Sequence, residues 1–230
     1  MDLKEAVKKI HWLGHGAIRI DESTVLLVDP FGISIHKAAD LILISHDDLD
    51  CNLPEEVAKS LKANSVIVAG GASGQKLRNH VRTFSLGGRI FSEKLKGEVK
   101  VVAPGEKLRV KGARIAIGPV YGPQMELSPN GADALSFVFT LAGVRYYHPG
   151  NAHFVPEAKP PGIDIAFLPV SETCVTTAVD AAKQISPAIV IPIHYAPGSE
   201  HLAKEFERAL EARIKVVILQ REEIMLIGGG

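Results

Sequence analysis

The sequence predicts an α/β fold in which mixed β-sheets are covered by helices on their outer faces. Short apolar runs, many of them β-branched, recur along the whole 230-residue chain. Helical patterns fall between several of them. The strands come mainly as hairpins early and alternate with helices late, which disfavours a purely parallel doubly wound sheet.

In chain order the strand runs are 17–20, 25–28, 41–44, 66–68, 99–102, 114–117, 137–140, 144–147, 165–168, 189–193 and 215–219. A helix is predicted over 54–61, opened by Glu55 and Glu56 where the helix dipole favours acids. A second, over 176–185, is stopped by Pro187. The clearest helix spans 199–213. In it Leu202, Phe206 and Leu210 recur every four residues while Lys204, Glu207, Arg208 and Glu211 take the other side, so one stripe packs on a sheet. Glycine and proline are scattered, with clusters at 70–74, 87–88 and 159–162, and neither a linker-like stretch nor a short repeat divides the chain. One domain over residues 1–230 is expected. GGASG at 70–74 lacks the Gly-Lys-Ser/Thr ending of a phosphate loop and is read as a flexible turn.

Hydrophobic residues make up 46% and charged residues 23%, with a mean hydropathy of +0.13, the balance of a soluble globular protein. Lys+Arg and Asp+Glu number 26 each, and no long basic block appears, so nucleic acid is a poor fit as main partner and a small-molecule substrate is expected. Cys51 and Cys174 form no CxxC pair, which suits a reducing compartment. The opening MDLKEAVKKI lacks the apolar core of a secretory signal, and no run approaches the ~18 apolar residues of a membrane span. A cytoplasmic location is expected.

Three apolar runs each stop at a histidine: LILIS before His46, VRYY before His148 and IVIPI before His194. Strand ends thereby converge on one rim. A single histidine at a strand end is ordinarily a polar residue near solvent, and the acidic run after His46 is by itself a solvated turn capping the helix at Pro54. Together they read differently. Asp47, Asp48, Asp50 and Cys51 follow His46 in one tight loop, and a divalent cation would offset carboxylates that otherwise repel each other. Cys51 also has a plain reading as a small buried residue closing the turn.

Six anchors follow one another along nearly the whole chain: WLGHGAIRI at 12–20, VLLVDP at 25–30, ISHDDLDC at 44–51, YYHPGN at 146–151, DIAFLP at 164–169 and IPIHY at 191–195. In their order and spacing the chain resembles the metallo-β-lactamase superfamily, in particular the branch similar to ascorbate-6-phosphate lactonase and related metal-dependent hydrolases. The resemblance implies a four-layer αββα sandwich, two facing mixed sheets with helices on the outer faces, and a metal site at one rim between the sheets. It also implies one metal on His46, position 48 and His148, and another on Asp50, position 51 and His194, with position 151 bridging. This chain departs from the pattern. Asp48 stands for the second histidine of HxHxDH, Cys51 for its last, Asn151 for the bridging aspartate, and Tyr121 where many relatives of the branch carry a further histidine.

Asn151 matters most. Two divalent ions about 3.5–4 Å apart repel each other, and a neutral amide offers only a carbonyl dipole where a carboxylate would help hold them. One ion is therefore expected rather than two. Asp48 suits manganese, iron or zinc, and a Cys51 thiolate favours zinc, so zinc is the expected metal. The resemblance implies a metal-dependent hydrolase using metal-activated water on an ester, lactone or phosphodiester. Asp50 would orient or deprotonate the water, His194 would complete the site or donate to an oxyanion, and His46, His148 and Asp48 would hold the ion. Asp29, at a strand end before Pro30, either supports a ligand histidine as an acceptor or caps a turn. His15 and Tyr195 flank anchors and would line the pocket; His11, His36, His80, His153 and His201 default to surface or packing roles. The departures leave a second reading open: a catalytically silent member, without metal, whose sandwich serves as a binding or assembly module.

Overall fold

The computed structural model describes residues 2–31, 37–47, 53–86, 89–120, 134–150, 160–211 and 213–222. In chain order its elements are α1 (Leu3–Val7), β1 (Ile10–Gly14), β2 (Ala17–Asp21), β3 (Val25–Val28), β4 (Ala39–Ile44), α2 (Pro54–Lys59), β5 (Leu61–Ala69), α3 (Gly71–Asn79), β6 (Val81–Leu86), β7 (Arg89–Lys94), β8 (Glu98–Val101), β9 (Lys107–Val110), β10 (Ala113–Pro119), β11 (Leu135–Leu141), β12 (Val144–His148), β13 (Ile165–Pro169), α4 (Val175–Ile185), β14 (Ile189–Ile193), α5 (Glu200–Ala209) and β15 (Lys215–Val216). The first sheet runs β1-β2-β3-β4-β5-β8 and the second β15-β14-β13-β12-β11-β10-β9, with β6 and β7 forming a separate hairpin. Each large sheet is mixed: β1 to β3 pair antiparallel and β3, β4, β5, β8 parallel, while β9 to β12 pair antiparallel and β12 to β15 parallel.

Alternation along the strands explains the layering, because successive side chains point to opposite faces. In the first sheet Leu26, Val28, Leu41, Leu43, Val66 and Val68 join the core shared with Ile115, Phe137, Phe139 and Phe167 of the second sheet. Their neighbours Val25, Leu27, Ile42, Ile44, Ile67 and Ala69 face outward and pack with Val57 of α2 and Leu77 of α3. Both faces are buried, so these strands read as continuous apolar runs. On the second sheet α4 packs on β13 and α5 on β14. The predicted stripe of α5 is buried: Leu202, Phe206 and the following Leu210 are 6%, 0% and 1% exposed, each contributing roughly 1.5–3 kcal/mol through burial.

The predicted strands at 25–28 and 189–193 coincide with β3 and β14, and most others lie inside slightly longer strands. The run at 215–219 is strand only over Lys215–Val216, although the Val217 N–H still reaches the Val190 carbonyl at 2.9 Å. The turn expected at 70–74 is instead the start of α3. Glycine is a poor helix former, but packing overrides propensity here: a Cβ on Gly74 would lie 2.7 Å from Cγ2 of Val101, so only glycine lets this helix lie so close to β8. The helix at 176–185 ends as expected before Pro187, on Ser186 in the left-handed conformation (φ 53°). Among the described residues no helix is long and apolar enough to cross a membrane.

Candidate functional site

The two sheets are stitched together at one rim. The Leu135 N–H at the start of β11 donates to the Ser45 carbonyl just after β4 (2.6 Å), and the His194 N–H just after β14 donates to the His15 carbonyl in the β1–β2 turn (2.9 Å). His148, the last residue of β12, reaches the Gly16 carbonyl of the same turn with Nε2 at 3.0 Å. Strand ends far apart in sequence thus meet around Gly16. The position a Cβ on Gly16 would take lies 3.8 Å from Asp29 Oδ2, 3.8 Å from His194 Cδ2 and 3.9 Å from His148 Cε1.

Backbone strain collects at the same place. His15, Asp29 and His194 adopt φ of 45°, 45° and 72° and are three of the seven non-glycine residues with positive φ among those described. Such conformations cost of order 1–3 kcal/mol each and persist where surrounding structure over-determines them, most often at functional sites.

Asp29 is 3% exposed and holds Ser45 with both oxygens. The Ser45 N–H donates to Oδ1 at 2.7 Å, and the Ser45 hydroxyl donates to Oδ2 at 2.6 Å. The same hydroxyl oxygen lies 2.7 Å from Nδ1 of His46. Its one hydrogen is committed to the carboxylate, so the imidazole supplies the hydrogen of this second contact. His46 is therefore the Nδ1–H tautomer, and Nε2 carries the ring's lone pair, the arrangement in which outer partners fix a metal-ligating histidine. Asp29 reaches the His46 ring through Ser45 and not directly. The sequence alone assigns Ser45 no role, and its one local signal there is a hydroxyl residue directly between an apolar run and a strand-end histidine.

His148 differs from His46. It is fully buried, and its Nδ1 accepts the Gly150 N–H at 3.1 Å, so Nε2 is the protonated nitrogen and donates to Gly16. Both ring nitrogens are committed, and neither offers a lone pair to a cation. In this arrangement His148 clamps the β1–β2 turn to the loop after β12. Burial holds its pKa below the ordinary histidine value, against the opposing pull of the Asp29 carboxylate and the Gly16 carbonyl. Gly150 makes the clamp possible. Its φ is +69°, and a Cβ there would sit 2.7 Å from the Leu135 carbonyl oxygen and 3.0 Å from Cβ of Ser45. Gly150→Ala is expected to destabilise the fold by about 2–3 kcal/mol, read as a shift in urea midpoint at constant slope.

His15 is exposed and His46 and His194 are half-buried, so these three imidazoles lie at the rim above buried His148. The His15 ring stands edge-on to that of His194 at 5.2 Å and to Phe31 at 5.3 Å. Tyr195 points elsewhere: its ring packs on Trp12 at 4.5 Å, its hydroxyl donates to the Leu219 carbonyl at 3.3 Å, and burial, with Glu200 adding to it, pushes its pKa up to about 12. It braces the segment after β15 and does not line the rim. Asp47 pairs with Lys76 of α3 at 2.9 Å. Asp48, Asp50, Cys51 and Asn151 lie outside the described residues, as do His36, Tyr121 and His153. Among the described residues no three His, Cys, Asp or Glu side chains are grouped so as to hold a metal ion.

Known proteins share this architecture. The sequence pattern of the beta-lactamase superfamily domain matches residues 9–194. A protein of Pelotomaculum thermopropionicum named UPF0173 metal-dependent hydrolase is 28% identical over 221 residues, covering 89% of this chain and 92% of its own length. One of Pyrococcus furiosus with the same family name is 27% identical, covering 94% and 97%. A crystal structure from Parabacteroides distasonis, provisionally named a metal-dependent hydrolase, superposes with a TM-score of 0.72 at 27% identity over 92% of this chain and 93% of that one. At the level of fold alone, the metallo-beta-lactamase fold protein YhfI of Bacillus subtilis gives a TM-score of 0.68 at 12% identity, covering 92% and 96%. With two mixed sheets meeting at a histidine-bearing rim and the pattern matched across most of its length, the chain belongs to the beta-lactamase superfamily.

Proposed function

We propose that this protein is a metal-dependent hydrolase with a single-ion site, acting on an ester, lactone or phosphodiester of a small molecule. The observation that carries the reading is the chain of hydrogen bonds from Asp29 through Ser45 to His46, which sets the tautomer a metal ligand requires. Relatives named metal-dependent hydrolases support the general class. The donor chemistry fits a cation at His46 and does not fit one at His148, so His46, His194, Asp48 and Asp50 would hold the ion. When bound, zinc in such a site supplies Lewis acidity and lowers the pKa of water.

The remaining roles belong to the chain itself. Asp29 and Ser45 hold the His46 ring in place and keep its proton on Nδ1. His148 fixes the turn that carries His15 and Gly16, and so the floor of the site. Asp50 would orient the attacking water and accept its proton, and His194 would stabilise negative charge developing on the substrate oxygen. The test is turnover of a phosphodiester and lactone panel by protein supplemented with zinc or manganese. Metal-dependent hydrolysis of at least one substrate, lost in His46→Ala, is expected; absence of hydrolysis across the panel with metal bound counts against it. A silent binding or assembly module is the second reading, favoured by the commitment of both His148 nitrogens within the protein.

A further inference from the structure

We propose that the outer face of β9 to β12 is a second binding site, for a small anion carrying two or more phosphoryl groups. The helices of the second sheet pack on β13 and β14, and the antiparallel half beside them carries a shallow cavity of about 500 Å³ lined by Lys107, Arg109, Arg114, Val138, Thr140 and Arg145, among others. A contiguous cavity of about 490 Å³ shares Arg109, Arg114 and Thr140. Register explains the clustering. Arg109 lies directly opposite Arg114, Arg114 opposite Thr140, and Thr140 opposite Arg145. Three arginines and a hydroxyl thus form one row across four strands, spanning about 14 Å, with Lys107 one row over, opposite Ala116.

The row is predominantly basic, with one carboxylate at its end, where the Arg145 backbone N–H donates to Asp164 Oδ2 at 2.8 Å. Among the described residues Lys107, Arg109, Arg114 and Arg145 make no ion pair, although the chain as a whole has as many acids as bases. Like charges directly opposite on neighbouring strands repel, and the Arg145 Nε is buried without a hydrogen-bond partner. Basic residues on a sheet edge ordinarily guard against edge-to-edge pairing, which accounts for Lys107 and Arg109 on β9. It does not account for Arg114 and Arg145, which lie inside the sheet. Guanidinium groups in this spacing suit bidentate recognition of phosphoryl oxygens, with Thr140 as a further donor.

Size and lining decide the class of ligand. About 500 Å³ is the volume of a small-molecule site, and none of the lining residues is aromatic, so the platforms on which single-stranded nucleic acids stack their bases are missing. Arg145 lies three residues before His148 on β12 and its side chain takes the opposite face, so this site is separate from the rim and does not depend on the hydrolase reading.

The experiment is calorimetric titration of the intact protein with inorganic tripolyphosphate at low and physiological ionic strength. Saturable one-to-one binding that weakens with salt is expected, reduced about tenfold for each arginine removed in Arg109→Gln and Arg109→Gln/Arg114→Gln. Both positions are exposed, so thermal melting should be unchanged; Arg114→Lys should retain part of the affinity. Binding in His46→Ala should equal that of the natural protein. Three results would overturn the assignment: no saturable binding, affinity unchanged in the double variant, or loss of binding in His46→Ala. Tighter binding of a single-stranded oligonucleotide of matching charge would also overturn it, making the face a nucleic-acid surface.

Discussion

Replacing His148 with alanine is expected to lower the unfolding free energy by about 3–5 kcal/mol while leaving bound metal in place. The ring is fully buried and tilted against Phe167 at 5.9 Å, so its removal opens a cavity and leaves the Gly16 carbonyl and the Gly150 N–H unsatisfied. A true ligand would behave in the opposite way, with metal lost and the fold largely kept. The same residue sets a pH dependence. Its pKa in the fold is held below the unfolded value near 6.5, so the neutral ring is the form the fold accepts. Above pH 6.5 both states are neutral at this position and the stabilisation is fully present. As pH falls below 6.5 the unfolded chain takes up a proton that the folded chain refuses, and stability falls by up to about 1.4 kcal/mol per pH unit. Urea unfolding of the natural protein and of His148→Asn between pH 7.5 and about 5 checks this: the slope should be steeper in the natural protein, and equal slopes would remove the clamp from the account.

Asp29→Asn should reduce metal affinity by about 10- to 100-fold without unfolding the protein. The asparagine carbonyl can still accept the Ser45 N–H, but its amide would donate to the Ser45 hydroxyl oxygen. The hydroxyl hydrogen then turns to His46 Nδ1, which must become the acceptor, and the ring proton moves to Nε2. The ligand nitrogen is lost although no atom of His46 has been altered. Zinc titration measures the affinity, and ring-nitrogen NMR of His46 reads the tautomer directly. Unchanged affinity with a switched tautomer would mean that His46 does not bind metal. An unswitched tautomer would mean that the hydroxyl is not the relay.

What the sequence made legible follows from what is local. A strand-end histidine is visible as the end of an apolar run, so His46 and His194 could be read directly, and β3 and β14 with them. The roles of their nitrogens could not. His148 has the same local appearance as His46, yet its lone pair is consumed by Gly150 and its proton by Gly16, a partner 132 residues away. Ser45 becomes meaningful only once β3 and β4 lie side by side and bring Asp29 beneath it. The helix at Gly71–Asn79 was hidden because its glycines oppose helix formation locally, and Gly74 is explained only by contact with Val101. The arginine row was hidden for a related reason: its members are dispersed between positions 109 and 145, and only antiparallel register lines them up. Charge counted along the chain excludes basic blocks but not basic faces.

If Asp29 and Ser45 hold His46 as the ligand of a divalent cation, elemental analysis of protein purified without chelator will find that cation. Close to one equivalent of zinc per chain, falling to none in His46→Ala and persisting in His148→Asn, is the predicted result. Metal content that is negligible after zinc supplementation, or that survives in His46→Ala, would contradict it.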